Sequence, residues 1–495
     1  MKQRSVVTSF LTYSEQENSF AQGDKILLLK RSDKVRTYQH RWGGVSGSIE
    51  TGDNSPLERA ITEIQQETNL TQSDVTLVRA GKPIICNAEN YDTIWTVYPF
   101  LFRLNSKDTA KRVNINWEHD TFQWIQPEEL NSFDTVPKIA EAFHRVYLPE
   151  TAHNELMYML NNRSSGAREL AEKALDIIAE IIKDKSCQKF AQSPKDLYLA
   201  WLNIGWHICQ VRPTMKASIT FTVVNLMQQI RKKVLEGDSS IESIERTSFD
   251  IIEKMKLGFK EAEQRINQAF ASALVSHKII DSLHIMTMSY SSTIFSVLSN
   301  YISRNLSSDN PCNITITIME SRPLNEGSTF ARKLSALLPN ADYKNQYVKI
   351  QVITDASCDY FMPTVTHVLL GSDKILKDGS VINKMGSVPL ALAAKHHGKI
   401  VLVISGTDKI GGDEDETMEE KDAIEITLCY AKEWNDVVRE KGVTVRNVYF
   451  EKVEAGLIDG YVTEGKLELL TVEDIRSLWD KRKSIENIFN ELSRS

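Results

Sequence analysis

The stretch "LLGSDKILKDGSVINKMGS", residues 369–387, puts polar side chains at the point where a buried strand ends. The apolar run Val368-Leu369-Leu370 stops at Gly371, and the carboxylate of Asp373 follows closely. A turn then leads to Asn383-Lys384, just ahead of a helix rich in Ala and Leu. This pattern indicates a strand that leaves a buried sheet beside a polar ligand site.

Similar strands precede and follow this one from about residue 283 onward. The segments are "LHIMTM", "NITITIME", "VKIQVITD", "VTHVLLGSD" and "KIVLVIS", with amphipathic stretches between them. Continuous β-branched runs that alternate with helices are typical of a parallel sheet covered on both faces. The sequence therefore predicts a Rossmann-like domain over residues 279–495.

Polar residues stand at the carboxyl ends of these strands, where open parallel sheets bind ligands. They are Ser289, Ser291, Ser292, Thr293, Glu320, Arg322, Asp355, Asp373 and Lys409. The hydroxyl groups at 291–293 would open the next helix, whose backbone N–H groups favour a phosphate. Arg322, Lys384 and Lys409 could supply positive charge. Asn383 offers both a donor and an acceptor. We therefore expect an anionic, polyhydroxylated ligand.

The composition is that of a globular protein with several domains. The chain has 495 residues, of which 41% are hydrophobic and 25% charged, and its formal net charge is −7. This mild acidity argues against a nucleic-acid-binding surface. Its six cysteines are scattered, as expected of reduced thiols. With no apolar run near the roughly 18 residues that span a bilayer, we expect a cytoplasmic protein that contacts neither membrane nor nucleic acid.

The chain before residue 279 divides into two further domains. Residues 1–150 alternate short strands with turns around one clear helix near 56–68, which predicts an α+β domain. Residues 153–278 carry apolar residues at three- and four-residue steps, which predicts a helical domain. The expected fold class is α/β, with the helical and Rossmann-like domains working as one unit.

The predicted helix near 56–68 lies in "RWGGVSGSIETGDNSPLERAITEIQQETNL", residues 41–70. Ser55-Pro56-Leu57-Glu58 supplies an N-cap, a first-turn proline and a capping-box glutamate. Glu63 and Glu67 are four residues apart and share one helix face. Two such carboxylates can hold a hard divalent cation such as Mg²⁺ against a pyrophosphate.

This stretch resembles the Nudix box, which runs Gly, five residues, Glu, seven residues, then Arg-Glu-apolar-x-Glu-Glu-x-Gly-apolar. Gly47 and Asp53 fit its start, and Glu63 and Glu67 match its metal-binding positions. The departures are Thr62 for the Arg, Gln66 for a Glu, Asn69 for the Gly, and one extra residue.

These departures bear on activity. Gln66 removes a charge, which should weaken Mg²⁺ binding, and Thr62 removes the partner expected to orient a glutamate. The resemblance implies a Nudix-like fold over residues 1–150. It leaves open an impaired pyrophosphohydrolase or a domain retained to bind a ligand or a partner.

A second resemblance extends from about 160 to 480. Its motifs are "ESRPLNEG", "TDASCDYFM", "LLGSDKILKDGSVINKMGS" and "VRNVYFEKVEAGLIDGYVTEGK". They resemble one superfamily. It comprises the α, β and δ regulatory subunits of the guanine-nucleotide exchange factor for translation initiation factor two, methylthioribose-1-phosphate isomerase and archaeal ribose-1,5-bisphosphate isomerase. Members commonly dimerise through the Rossmann-like part, so the resemblance implies a homodimer.

The resemblance also implies residue roles. Asp373 matches the catalytic aspartate of the isomerases, Asn383-Lys384 their substrate-binding pair, and Lys409 a further binding lysine. Arg212-Pro213-Thr214 resembles an Arg-Pro-Thr substrate contact in the helical domain.

Two features depart from the isomerases. Ser289 stands where they use a cysteine to move a proton between adjacent carbons, and a hydroxyl is a far weaker acid than a thiol. Their phosphate-gripping Arg-Gly-Ala-Gly is present only as Ser165-Gly166-Ala167-Arg168. Cys358 could in principle replace the missing thiol.

Two functions are compatible with these features. The first is a phosphosugar- or nucleotide-binding protein that acts as a ligand sensor or regulatory subunit. The second is an active aldose–ketose sugar-phosphate isomerase, a Nudix pyrophosphohydrolase, or both. Ser289 and the altered Nudix box favour sensing, whereas Asp373, Asn383-Lys384 and Lys409 favour retained sugar-phosphate binding.

Overall fold

The structure is a computed structural model with three parts: a mixed sheet, a group of helices and a parallel sheet. It describes residues 2–14, 24–88, 91–162, 165–237, 240–276, 282–309, 311–338, 347–411, 420–430, 442–483 and 486–493. The predicted fold class is confirmed. Within these ranges, no helix has the length and apolar character needed to cross a membrane.

The N-terminal part is built on an eight-stranded sheet. Its strands are β1 (Lys2–Ser14), β2 (Asp24–Arg31), β3 (Trp42–Gly43), β4 (Val45–Ser48), β5 (Val75–Ala80), β6 (Ile84–Ala88), β7 (Thr93–Leu104) and β8 (His119–Ile125). Its helices are α1 (Pro56–Thr68), α2 (Lys107–Ala110) and α3 (Ile139–Val146). β1 and β7 pair in parallel, and the other pairs are antiparallel.

Helices cover both faces of this sheet. Successive side chains of β1 point to opposite faces, so neighbouring residues of this strand pack against different helices. Leu11 joins the core that contains Ile64 of α1. Phe10 packs edge-to-face on Phe143 of α3, with 5.2 Å between the ring centroids.

Helix α1 begins and ends close to where the sequence predicts. Ser55 is the N-cap, and its hydroxyl accepts a hydrogen bond from the Glu58 backbone N–H at 3.2 Å. The Glu58 carboxylate accepts from the Asn54 backbone N–H at 2.9 Å rather than from Ser55, so the predicted capping box does not close. Asn69 ends the helix in the left-handed conformation, with φ 58°. Asparagine tolerates that conformation, so it fills the role of the glycine expected there.

The second part is helical. Its helices are α4 (Glu150–Asn161), α5 (Ala167–Lys183), α6 (Pro194–Gln210), α7 (Lys216–Leu235) and α8 (Ile241–Ser276). At Gly205 an added Cβ would lie 2.8 Å from the Val223 side chain, so the glycine lets α6 and α7 pack closely.

The C-terminal segment Glu486–Ser493 contacts both the helical part and the N-terminal part. Its side chains Ile488, Phe489 and Leu492 join the core of the helical part. The Arg145 guanidinium of α3 donates to the Leu492 carbonyl. The Ser493 hydroxyl donates to the carbonyl of Pro83 at 3.3 Å.

The third part contains the parallel sheet. Its strands are β9 (Ser282–Met288), β10 (Asn313–Met319), β11 (Val348–Ile353), β12 (His367–Leu370), β13 (Lys374–Ile375), β14 (Val381–Lys384), β15 (Ile400–Ile404), β16 (Phe450–Val453) and β17 (Gly460–Val462). Its helices are α9 (Ser292–Leu306), α10 (Glu326–Ser335), α11 (Cys358–Phe361), α12 (Ser387–His396), α13 (Ile424–Thr427) and α14 (Val472–Lys483).

Six of these strands run parallel in the order β11-β10-β9-β12-β15-β17. The chain builds outward from β9 to β11 and then returns to the other side of β9 with β12. Strand order therefore reverses between β9 and β12, and such a reversal opens a crevice at the carboxyl ends of the strands. A small antiparallel sheet, β13-β14-β16, lies beside it.

The C-terminal segment offers a test of this architecture. Leu492 is 0% exposed, so Leu492→Ala should lower the free energy of unfolding by about 2–5 kcal/mol. Leu235→Ala is the matched control, because Leu235 is 69% exposed and its truncation should change stability by no more than about 0.5 kcal/mol. Urea unfolding followed by tryptophan fluorescence would compare them. Equal midpoints would contradict the packing described here.

Candidate functional site

A cavity lies where the strand order reverses. Ser289 follows β9 and Asp373 follows β12, and both side chains line it. Asn383 and Lys384 reach it from β14, and Lys409 from the loop after β15. The structure thus brings these five predicted residues together around one cavity.

Glu326 lies at the centre of the hydrogen bonds in this cavity. Its Oε2 accepts from the Ser289 hydroxyl at 2.6 Å, and its Oε1 accepts from the Lys384 ammonium at 3.1 Å. The sequence analysis missed this residue, although it lies within the quoted "ESRPLNEG". The feature that could have identified Glu326 is its position as the first residue of α10, directly before Gly327.

Close backbone packing brings Glu326 to the cavity. An added Cβ on Gly327 would lie 1.8 Å from the Met319 carbonyl oxygen, so only glycine lets α10 begin this near the end of β10. Ser289 has a left-handed backbone, with φ 56°, and its N–H donates to the Ser321 hydroxyl at 2.6 Å. Together these features turn the Ser289 side chain towards Glu326.

Asp373 carries the ionisable carboxyl on the opposite strand end. Burial raises the pKa of Asp373, whereas Lys409 and Lys384 oppose that rise and Glu326 adds to it. Its backbone N–H donates to the Ile382 carbonyl at 2.9 Å, which fixes it against β14. A carboxyl group with a raised pKa beside two cations can serve as an acid and as a base.

The two lysines are held in different ways. The Lys409 ammonium donates to the Ser372 carbonyl at 2.5 Å, and the side chain is buried. The Lys384 ammonium lies 4.1 Å from the centre of the Tyr449 ring, in addition to its contact with Glu326. Tyr449 also lines the cavity, and the sequence analysis did not identify it.

Neutral polar groups complete the lining. Asn383 donates to the Ser387 hydroxyl at 2.8 Å. An added Cβ on Gly371 would lie 3.3 Å from the Ser291 Oγ and 3.6 Å from the Asn383 Oδ1, so the glycine leaves room between them. Ser291 caps α9 and Ser292 begins it, and both line the cavity.

The helical part forms the remaining wall. Arg212 is buried there, lines the cavity and donates to the Asn162 carbonyl. Ser165, Gly166, Ala167 and Arg168 also line it. The segment that departs from the Arg-Gly-Ala-Gly motif therefore still faces this cavity.

The structure does not bring every predicted residue here. Thr293, Glu320 and Arg322 lie outside the cavity lining. Thr293 is buried within α9, and Arg322 is exposed, with its Nη2 at 2.6 Å from the Cys429 sulfur. The Ser321 and Arg322 backbone N–H groups both donate to the Asp355 carboxylate after β11, at 2.8 Å, so this part of the loop lies on the β11 side, whereas Glu326 further along reaches the cavity. Cys358 is also outside the lining, and burial raises the pKa of its thiol, so it does not take the place of the missing cysteine.

The helix α1 carries the predicted metal-binding pair. Glu63 and Glu67 are buried on one face, and Gln66 is exposed. An added Cβ on Gly47 would lie 1.8 Å from the Glu63 Oε1, so this glycine lets the carboxylate pack on the backbone. Burial raises the pKa of Glu63 and, more strongly, that of Glu67.

An arginine already contacts Glu63, which corrects the expectation that Thr62 leaves this glutamate without an orienting partner. The Arg59 guanidinium lies 3.3 Å from Glu63, 2.9 Å from Asp53 and 3.2 Å from Glu50. Arg59 thus orients Glu63 from one turn earlier, although Thr62 replaces the arginine of the Nudix box. Among the described residues, no group of three or more His, Cys, Asp or Glu side chains could hold a metal ion. The residues present do not fit a tight Mg²⁺ site.

A second cavity lies beside this helix in the N-terminal part. Tyr38, Trp95, Glu118 and Lys138 are among the residues that line it, together with Gly47. It offers aromatic rings with one acidic side chain and two basic ones, Arg31 and Lys138, which suits a small ligand with a flat polar group.

The fold and the cavity define a chain with a Rossmann-like sheet and a polar cavity at the strand reversal. The sequence profile of the Initiation factor 2 subunit family matches residues 163–466, more than half of the chain, so the chain belongs to that family. The profile of the NUDIX domain matches residues 14–149. Both resemblances noted in the sequence are confirmed.

Several known proteins are similar in sequence to part of this chain. Ribose 1,5-bisphosphate isomerase of Haloferax volcanii is 25% identical over 249 residues, which are 49% of this chain and 69% of that protein. A putative translation initiation factor eIF-2B subunit 2-like protein of Pyrococcus furiosus is 27% identical over 243 residues, 48% of this chain and 78% of that protein. The crystal structure of Pyrococcus horikoshii OT3 translation initiation factor eIF-2B aligns with a TM-score of 0.47 at 24% identity, over 65% of this chain and 98% of that one.

The Nudix helix generates a prediction about divalent ions. Gln66→Glu should tighten Mg²⁺ binding about tenfold or more, because it adds a third carboxylate near Glu63 and Glu67. Gln65→Glu is the matched control, since it adds the same charge at the neighbouring exposed position. Calorimetry with MgCl₂ would measure both. Tight Mg²⁺ binding by the unaltered protein, or equal gains in the two variants, would contradict this account.

Proposed function

We propose that this chain binds a phosphosugar or a nucleotide in the cavity at the strand reversal and works as a ligand sensor or regulatory subunit. The observation that carries the proposal is the convergence of two cations on one carboxyl group. Lys384 comes from β14 and Lys409 from the loop after β15, both line the cavity with Asp373, and their charges oppose the rise in its pKa. Ammonium groups around a polar cavity favour a phosphate, and hydroxyl and amide groups beside them favour a polyol.

Two features support sensing over turnover. Ser289 offers a hydroxyl where the isomerases of the superfamily have a thiol, and a hydroxyl is a poor base near neutral pH. In the N-terminal part, Arg59 contacts Glu63, one of the two acids expected to hold a metal. Weak Mg²⁺ binding and homodimerisation through the Rossmann-like part stay predictions.

A second candidate function is sugar-phosphate isomerisation. One contact favours it: the Glu326 carboxylate lies 2.6 Å from the Ser289 hydroxyl, inside the same cavity as Asp373. Two relatives, from Haloferax volcanii and Archaeoglobus fulgidus, are named ribose 1,5-bisphosphate isomerases, so that sugar phosphate is the first probe to use.

Loss of either lysine should weaken binding of the sugar phosphate. Lys384→Ala and Lys409→Ala should each cost about 1.5–3 kcal/mol of binding free energy, because each removes a charged hydrogen-bond donor. Calorimetry with ribose 1,5-bisphosphate would measure the change. Melting temperatures must accompany it, because Lys409 is only 6% exposed and its removal also affects the fold.

The control is Lys395→Ala. Lys395 lies on α12, pairs with Asp459 at 3.2 Å and is outside the cavity lining, so its loss should leave the affinity unchanged. Unchanged affinity in both cavity variants would place the ligand elsewhere. Equal losses in all three variants would indicate a nonspecific effect of net charge and would also contradict the proposal.

A further inference from the structure

We infer that Glu326 is the base that moves a proton between adjacent carbons of a sugar 1-phosphate bound in the cavity. This inference rests on the second candidate function, sugar-phosphate isomerisation, and names a base for it. Its structural basis is the contact between the Glu326 Oε2 and the Ser289 Oγ at 2.6 Å. Glu326 therefore stands beside the position where related isomerases carry their thiol.

Other groups in the cavity fit this role less well. Among the described residues that line it, the carboxyl groups belong to Glu169, Glu326 and Asp373, and no histidine or cysteine is present. Glu169 comes from α5 on the helical wall. Asp373 lies at the end of the neighbouring strand β12 and has a raised pKa, which suits proton exchange with oxygen atoms.

Glu326 keeps capacity to accept a proton despite its two contacts. A carboxylate offers about four lone-pair sites across its two oxygens. Lys384 occupies one site on Oε1 and Ser289 one on Oε2. The Ser289 hydroxyl then positions the carboxylate and does not itself take the proton.

The reaction balances with these two acids and no cofactor. The Asp373 carboxyl donates its proton to the ring oxygen as the C1–O4 bond breaks, and C1 becomes a phosphorylated oxocarbenium centre. The Glu326 carboxylate removes the C2 proton, and that electron pair forms the C1–C2 double bond of an enol phosphate. Asp373 then takes the proton of the C2 hydroxyl as the C2 carbonyl forms, and Glu326 returns its proton to C1. The product is a ketose 1-phosphate, and both residues are regenerated.

The experiment measures proton exchange and binding on the same samples. The full chain is incubated with ribose 1,5-bisphosphate in D₂O, and NMR follows the C2 proton and the appearance of the ketose. Calorimetry reports binding. The variants are Glu326→Gln, Glu326→Asp and Glu473→Gln. The last is an exposed glutamate in the first turn of α14, outside the cavity lining, and serves as the control.

The expected result is a split between binding and exchange. Wild-type protein and Glu473→Gln should exchange the C2 proton and form the ketose, and the rate should fall about 10²–10⁴-fold in Glu326→Gln. Glu326→Asp should recover part of the rate because it keeps a carboxylate. The dissociation constant should change by less than tenfold in Glu326→Gln.

Three results would overturn the inference. If wild-type protein binds the sugar without exchanging its C2 proton, the cavity is a binding site only. If Glu326→Gln exchanges as fast as wild type, another group is the base. If wild-type protein does not bind the sugar at all, the proposed function fails together with the inference. The first result needs no variant, so it stands even if a substitution impairs folding.

Discussion

The reversal of strand order between β9 and β12 is the constraint on which the site depends. Connections on either side of a reversal leave in opposite directions, so no helix crosses the crevice between the two strand ends. Ser289 and Asp373 flank that crevice because Ser289 directly follows β9 and Asp373 lies three residues after the end of β12. The small antiparallel sheet and the loop after β15 then bring Lys384 and Lys409 to the same opening.

The positions of two carboxylates depend on tight backbone packing at a glycine. Gly327 lets α10 begin against the end of β10, which carries Glu326 to Ser289. The N-terminal part uses the same device, since Gly47 lets Glu63 pack on the backbone beside Arg59. In both places a glycine sets the position of a carboxylate, and a cationic side chain contacts it.

Much of this arrangement could be predicted from the sequence because strand ends can be found from apolar runs. Asp373, Lys384 and Lys409 were identified in that way. Glu320 and Arg322 were included for the same reason, but the direction of the loop after β10 is set by its long-range contact with Asp355, which a local pattern does not contain. Glu326 and Arg59 were missed because their roles arise from contacts that no local pattern shows. Glu326 of α10 contacts Ser289 after β9 and Lys384 of β14. Arg59 of α1 contacts Glu63 one turn further along the helix and Asp53 in the preceding loop.

The central claim is that a sugar phosphate binds at the strand reversal. A crystal structure of the chain with ribose 1,5-bisphosphate tests it most directly. The account predicts a phosphate within about 2.7–2.9 Å of the Lys384 or Lys409 ammonium, with the sugar carbons between Glu326 and Asp373. Ligand density beside Trp95 in the N-terminal cavity, with the strand reversal empty, would contradict it.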